Sequence, residues 1–527
     1  MIGAAKALIL AGLSIRRICA PRKRMRTKLN YVWKLRLNLL ADSRRMASNK
    51  VLTASSINPN VLTMQYAVRG PIVIRANELE KELKKGDHKT FSTVIKANIG
   101  DAHAMGQRPI TFIRQVLACV SDPSLMSTDG PFSFPADVVD HAKAILDDCG
   151  GGSTGAYSNS TGVDIIRKHV AEYISKRDGG IPCDPEDVIL SGGASESIRN
   201  VLKLFINRDS SKKTGIMIPI PQYPLYSASI EEFNLGQVGY FLDEEAGWGL
   251  NEAELERSLK EAKYDVKAIV IINPGNPTGQ VLSRENIEVI VRFAQKHNLF
   301  VLADEVYQDN VYAAGSAFHS FKKVASEMGA PFNKIELASF HSVSKGYMGE
   351  CGMRGGYVEF LNLDPEVYVQ FKKMISAKLC STVLGQVVID TVVNPPKPGE
   401  PSYDLWKRER DDVLASLKQR ATLVREAYGA IEGITCNPVQ GAMYAFPRIH
   451  LPPKAVQKAE SLGQKPDFYY AMRLLEEAGI CIVPGSGFGQ RDGTYHFRTT
   501  ILPQPALFKE MLDRFSKFHK KFMAEFK

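Results

Sequence analysis

The 527 residues are 44% hydrophobic and 24% charged, the balance of a globular protein long enough for more than one domain. No apolar run approaches the ~18 residues a membrane-spanning helix needs. The formal charge of +10 raises the question of nucleic acid, but residues 1–45 hold twelve Lys and Arg against one acid, Asp42. Residues 46–527 are left at −1, which excludes a broadly basic, nucleic-acid-binding body.

The chain opens on "MIGAAKALILAGLSIRRICAPRKRMRTKLNYVWKLRLNLLADSRR". This leader is Arg-rich and nearly acid-free in the manner of mitochondrial transit peptides, although it is poor in serine. "ALILAGL" could serve as the apolar part of a secretory signal, but arginines follow it where a small-residue cleavage site belongs. Residues 1–45 are therefore read as a leader to the mitochondrial matrix, with a cytoplasmic location as the alternative if Met46 is the functional start. Residues 46–114 are expected to pack with the C-terminal part of the chain.

Residues 115–392 read as a large α/β domain. An amphipathic helix over 163–177 is followed by short, β-branched strands at 188–190, 268–272, 299–303 and 335–339, wholly apolar but for Glu336 and Ser339. Runs of that kind suit a mostly parallel sheet covered by helices on both faces. A Pro-rich break, "VVNPPKPGEPSYD", closes this part. Residues 393–527 then read as a smaller α+β domain that opens with a long connecting helix. The eight cysteines are scattered without a C-x-x-C pair or metal-type spacing, which points to free thiols in a reducing compartment and to no metal site. "GSGFGQ" (485–490) does not match a dinucleotide fingerprint and reads as a turn.

In open parallel sheets, ligands bind beyond the carboxyl ends of the strands. Four strands here end in polar clusters: Ser191-Gly-Gly-Ala194-Ser195, Asn273-Pro-Gly-Asn276-Pro-Thr-Gly279, Asp304-Glu-Val-Tyr307 and His341-Ser342-Val-Ser344-Lys345. Each alone has an ordinary explanation: a capped turn, a stiff loop, a salt bridge, a solvated lysine. At one rim they suit a single ligand bearing an anionic group, a protonatable ring nitrogen, a phenolic oxygen and an aldehyde.

"GNPTG", "ADEVY" and "SVSKGYMGECGMRGGY", in this order and spacing, resemble the class I/II aminotransferases of pyridoxal-phosphate fold type I, from about residue 90 to the C-terminus. Within that family, "NIGDAHAMGQRPITFIRQV" and the "NPPKPGEPSY" break are similar to the alanine-using branch. The resemblance implies an enzyme acting on amino acids and 2-oxo acids with pyridoxal 5′-phosphate. Its fold would be a large cofactor-binding domain, with a mixed, mostly parallel sheet between helices, plus the smaller α+β domain. Lys345 would form the Schiff base with the cofactor aldehyde, its proton affinity lowered by burial and by the cofactor, and would then move the α-proton. Asp304 would pair with the ring nitrogen, Asn276 and Tyr307 with the phenolic oxygen, and Tyr223 would stack on the ring. Ala194, Ser195, Ser342, Ser344 and Arg354 would hold the phosphate. Tyr157 would reach the phosphate of a second subunit, making a homodimer with shared sites. Arg498 would clamp the substrate α-carboxylate, with Gly100 and Asn276 beside it. A glyoxylate- or kynurenine-type aminotransferase, or a lyase on the same scaffold, stays open as the alternative.

Overall fold

The computed structural model describes residues 51–527 apart from 67, 69, 128–132 and 208–211; the leader at 1–45 lies outside the described residues. The chain divides into Met1–Leu62 and Thr63–Lys527. Of the first unit, the described residues include a turn closed by Ile57 N donating to Thr53 O at 2.9 Å. All that follows concerns the second.

Its centre is a seven-stranded sheet of β2 (Val188–Ser191), β3 (Thr214–Ile220), β4 (Gly236–Phe241), β5 (Asp265–Ile272), β6 (Phe300–Asp304), β7 (Leu337–Ser342) and β8 (Gly356–Leu361), following a short β1 (Ile95–Lys96) that lies elsewhere. The order is β2-β8-β7-β6-β5-β3-β4, and β8 alone runs antiparallel, to both β2 and β7. Two reversals cancel, so β2 to β7 all point the same way and their carboxyl ends share one rim. The sheet is thus mixed and mostly parallel, as the α/β reading requires.

Alternation of side chains divides each buried strand between two cores. Ala268, Val270 and Ile272 of β5 pack into one apolar cluster, Ile269 and Ile271 into another on the opposite face. That two-sided burial is why these strands are apolar at successive positions. The helix Asp164–Arg177 falls on the amphipathic stretch predicted at 163–177, and Ala194–Lys203 and Arg284–His297 are further helices of this part.

After the proline-rich loop, the connecting helix runs 27 residues from Tyr403 to Gly429. The C-terminal part adds β9 (Ile434–Thr435), β10 (Tyr444–Ala445), β11 (Arg448–Ile449), β12 (Ile480–Cys481), β13 (Val483–Pro484) and β14 (Phe497–Thr500). β14 is the middle strand of β10-β14-β13, and β1 pairs in parallel with β12. The "GSGFGQ" stretch forms a tight turn after β13. Among the described residues no helix is long and apolar enough to cross a membrane.

Candidate active site

A cavity of about 490 Å³ opens at the shared rim. Ala194 and Ser195 after β2, Asn276 after β5, Asp304 at the end of β6, Tyr307 just beyond it, Ser342 at the end of β7, and Ser344, Lys345 and Arg354 between β7 and β8 all line it, as does Tyr223. Gly100, Tyr444 and Arg498 form the facing wall. Of the residues singled out in the sequence, only Tyr157 stands apart, 76% exposed and outside this cavity.

One end is built for an anion. The helix Ala194–Lys203 begins without a side-chain cap, so its first N–H groups are free to bind a negative group. Gly193 precedes it at φ 98°, and a Cβ there would come within 2.6 Å of Arg354 Nη2; only glycine lets the guanidinium lie against the turn. Arg354 donates from Nη1 to Cys351 O (3.1 Å) and from Nη2 to Gly192 O (2.8 Å), two carbonyls that orient it without neutralising it. Ser342 Oγ accepts from Ser344 N at 2.9 Å, folding the two serines into the same cup.

The floor carries Asp304, 3% exposed. Its Oδ2 accepts from the Tyr226 hydroxyl at 3.0 Å, while Oδ1 is buried without a partner. Burial pushes this carboxyl up to about 6, against the pull of Tyr226, of the Val306 backbone N–H and of nearby Lys345. An unpaired buried carboxylate oxygen is costly. A cationic nitrogen in the cavity would satisfy it and favour the ionised form of the group.

Lys345 Nζ donates to Gly100 O at 2.8 Å and lies 6.0 Å from the Tyr307 ring centre. Burial lowers its proton affinity, as the sequence reading expected of burial. In the protein alone, however, Tyr444 and Cys351 outweigh that effect and the net shift is upward. The Tyr307 hydroxyl donates to the Tyr444 oxygen at 3.0 Å, and Tyr223 shares a hydroxyl–hydroxyl bond of 2.9 Å with Tyr66.

Arg498 is 1% exposed, and no acidic side chain among the described residues pairs with it. Nη1 donates to Asn276 Oδ1 (3.0 Å), Nη2 to Asn98 O (2.5 Å), and Nε is unpartnered. Since the guanidinium can only donate, Asn276 must present its oxygen to Arg498, leaving its NH₂ group as the donor available to a ligand. A buried, unneutralised guanidinium calls for a carboxylate from outside the protein.

Tyr226, Tyr444, Tyr66 and Cys351 belong to this constellation without having been selected from the sequence. Tyr226 lies in the same "PQYPLY" stretch as Tyr223 and Cys351 in the same glycine-rich stretch as Lys345 and Arg354, and those neighbours are the signal the sequence held. Taken together, the donors fit a flat ligand that is anionic at one end, cationic against Asp304 and carbonyl-bearing at Lys345, beside a second, carboxylate-bearing molecule.

The family model for aminotransferase class I and II matches residues 129–515. Alanine aminotransferase 2 of Xenopus tropicalis is 58% identical over 481 residues, 91% of each chain. The probable mitochondrial alanine aminotransferase of Dictyostelium discoideum is 47% identical over 502 residues, 93% of this chain and 92% of that one. Among solved structures, the alanine aminotransferase of Pyrococcus furiosus superposes with a TM-score of 0.69 at 25% identity, covering 88% of this chain and 99% of that one.

Proposed function

The chain belongs to the class I and II aminotransferases, and from that premise we propose that it transfers the amino group of L-alanine to 2-oxoglutarate, yielding pyruvate and L-glutamate, with pyridoxal 5′-phosphate as cofactor. The observation that carries this reading is a lysine amine facing a buried guanidinium that has no acidic partner among the described residues. An α-amino acid brings the missing carboxylate to Arg498 and its amine toward Lys345. The choice of alanine is supported by likeness along most of the chain to alanine aminotransferases.

Ala194, Ser195, Ser342, Ser344 and Arg354 would hold the phosphate, Asp304 the ring nitrogen, Asn276 and Tyr307 the phenolic oxygen, with Tyr223 against the ring. Bound there, the cofactor supplies an aldehyde for amine exchange and a ring that accepts the electron pair left at the substrate α-carbon. Asp304, ionised beside a cation, keeps the proton on the ring nitrogen. Lys345 Nζ takes the α-proton and returns it, base first and acid second. Arg498 grips the α-carboxylate in a forked geometry, which orients the C–H bond toward Lys345. With 2-oxoglutarate the same residues run in the opposite order, so alanine and 2-oxoglutarate use one site in turn.

The test is the visible spectrum of the purified protein. Wild type should carry a cofactor band that L-alanine bleaches, and Lys345→Ala should lose turnover on the order of 10³-fold or more without that response. A wild type that binds no chromophore, even when supplied with it, would overturn the reading.

Tyr157, exposed on the single chain, would complete the phosphate site of a second copy. The Arg-rich residues 1–45 would direct the protein to mitochondria, the location named for the Dictyostelium relative. A sedimentation mass of one chain, or a reporter carrying residues 1–45 that stays in the cytosol, would remove the respective claim.

A further inference from the structure

Tyr444 is assigned no role by the reading above, yet three groups of the site converge on it. Its oxygen accepts from the Tyr307 hydroxyl at 3.0 Å, and the two rings meet edge to face at 82°. Its ring covers the Arg498 guanidinium, 4.3 Å from Cζ to the ring centre. Its hydroxyl also shares a neighbourhood with the Lys345 amine. A Cβ added to Gly100 would collide with the Tyr444 hydroxyl and would stand 2.9 Å from Lys345 Nζ.

We propose that Tyr444 is a positioning residue of this site: its hydroxyl steadies the Lys345 amine in place, while its ring fixes the Arg498 guanidinium that receives the carboxylate. The inference rests on the aminotransferase reading.

A phenylalanine would fill the same volume and keep the contact between ring and guanidinium. The hydroxyl therefore needs its own explanation, and Tyr307 with Lys345 provides it. In the protein alone the oxygen accepts from Tyr307, and it has a further lone pair to offer to a cationic amine. The surroundings support this. Arg498 faces the pair from β14, Cys351 from the turn before β8, and Asp304 and Tyr307 from the end of β6, with Tyr223 nearby. Two cations close to one phenol hold it below the usual tyrosine range although burial pushes it up, and the phenol in turn favours the charged form of Lys345. Tyr444 thus ties the amine-handling and carboxylate-handling parts of the cavity together through one side chain.

The experiment compares holoenzymes of wild type, Tyr444→Phe and Tyr444→Leu. The readouts are the pH titration of the cofactor's visible band, the KM for alanine, and the binding of propionate as an unreactive carboxylate. Without the hydroxyl, the charged form of the nitrogen at position 345 loses support. The titration midpoint of Tyr444→Phe should therefore fall by about one pH unit, with propionate affinity and KM little changed. Tyr444→Leu should show the same fall and, in addition, bind propionate about tenfold more weakly. A tyrosine that merely fills space would move neither the midpoint in Tyr444→Phe nor the split between the two variants. A Tyr444→Phe titration that overlays wild type, with the band present, overturns the proposal, as does wild-type propionate affinity in Tyr444→Leu. Should the leucine variant fail to fold, the phenylalanine titration decides. A missing band in wild type strikes instead at the aminotransferase reading.

Discussion

The two walls of the cavity are built on different plans. The sheet rim draws its groups from the residues that follow four parallel strands, each next to a buried apolar run. The facing wall takes Gly100, Tyr444 and Arg498 from two-to-four-residue strands or their flanks, with Gly100 more than 300 residues before the other two along the chain. The rim holds uncapped N–H groups, Arg354 and an unpaired carboxylate oxygen, which suits a resident ligand held at several points. The facing wall holds one buried guanidinium, which suits a carboxylate that enters and leaves. On the proposed reading, retention and turnover would be separated between two surfaces.

That separation can be broken most sharply at Gly100, where the walls touch. Its backbone oxygen accepts from Lys345, and an added methyl would press on Lys345 Nζ and on Tyr444 together. Gly100→Ala should lower kcat on the order of 10²-fold by displacing the amine, while the cofactor band persists because the phosphate cup is untouched. Loss of the band would mean that the walls are not independent. Arg498→Lys is the next largest. It keeps the charge but gives up the planar fork, so KM for alanine should rise roughly 30-fold with cofactor retention unaltered. A fall in cofactor affinity of similar size would place Arg498 with the rim instead.

The same contrast explains what could be read from the sequence. Asp304 stands directly after a run that is apolar on every residue, and Ser195, Asn276 and Lys345 follow within a few residues of the ends of buried strands, so strand and site are written close together. β8 escaped notice as a strand. It follows a glycine-rich turn, it runs antiparallel, and its buried Glu359 interrupts the apolar signature while pairing with buried Lys322. Tyr444 and Tyr226 escaped because nothing nearby marks them. β10 is two residues long, and Tyr226, in the helix Pro224–Glu232, looks like Tyr223 just before that helix until folding brings it to Asp304. Arg498 was legible only through the resemblance and its apolar flanks, since its partners Asn276 and Asn98 lie 222 and 400 residues away. Contacts of that separation leave no local pattern.

The smallest effect concerns what stands behind the rim. Glu305 follows Asp304 but turns away from the cavity. Its Oε2 accepts from Ser339 Oγ at 2.6 Å and its Oε1 from Phe321 N at 2.9 Å, joining the end of β6 to β7 and to the helix Phe321–Met328. Burial pushes this carboxyl up to about 7, against the attraction of Arg177 and the Ser339 bond. The folded value lies above the unfolded one of about 4.3, so the folded state holds the proton more tightly. The group's contribution is complete below the unfolded value and is lost as pH rises through about 7. Gln carries no such titration and can still accept one of the two bonds. Comparing urea midpoints at pH 5 and pH 8, Glu305→Gln should flatten the profile relative to wild type, by on the order of 1 kcal/mol. KM for alanine should stay unchanged, because Glu305 does not line the cavity. Parallel pH profiles for the two proteins would show that Glu305 does not titrate in this window. A changed KM would show that the layer behind the rim sets the position of Asp304, and the rim would then have to be redrawn one residue deeper.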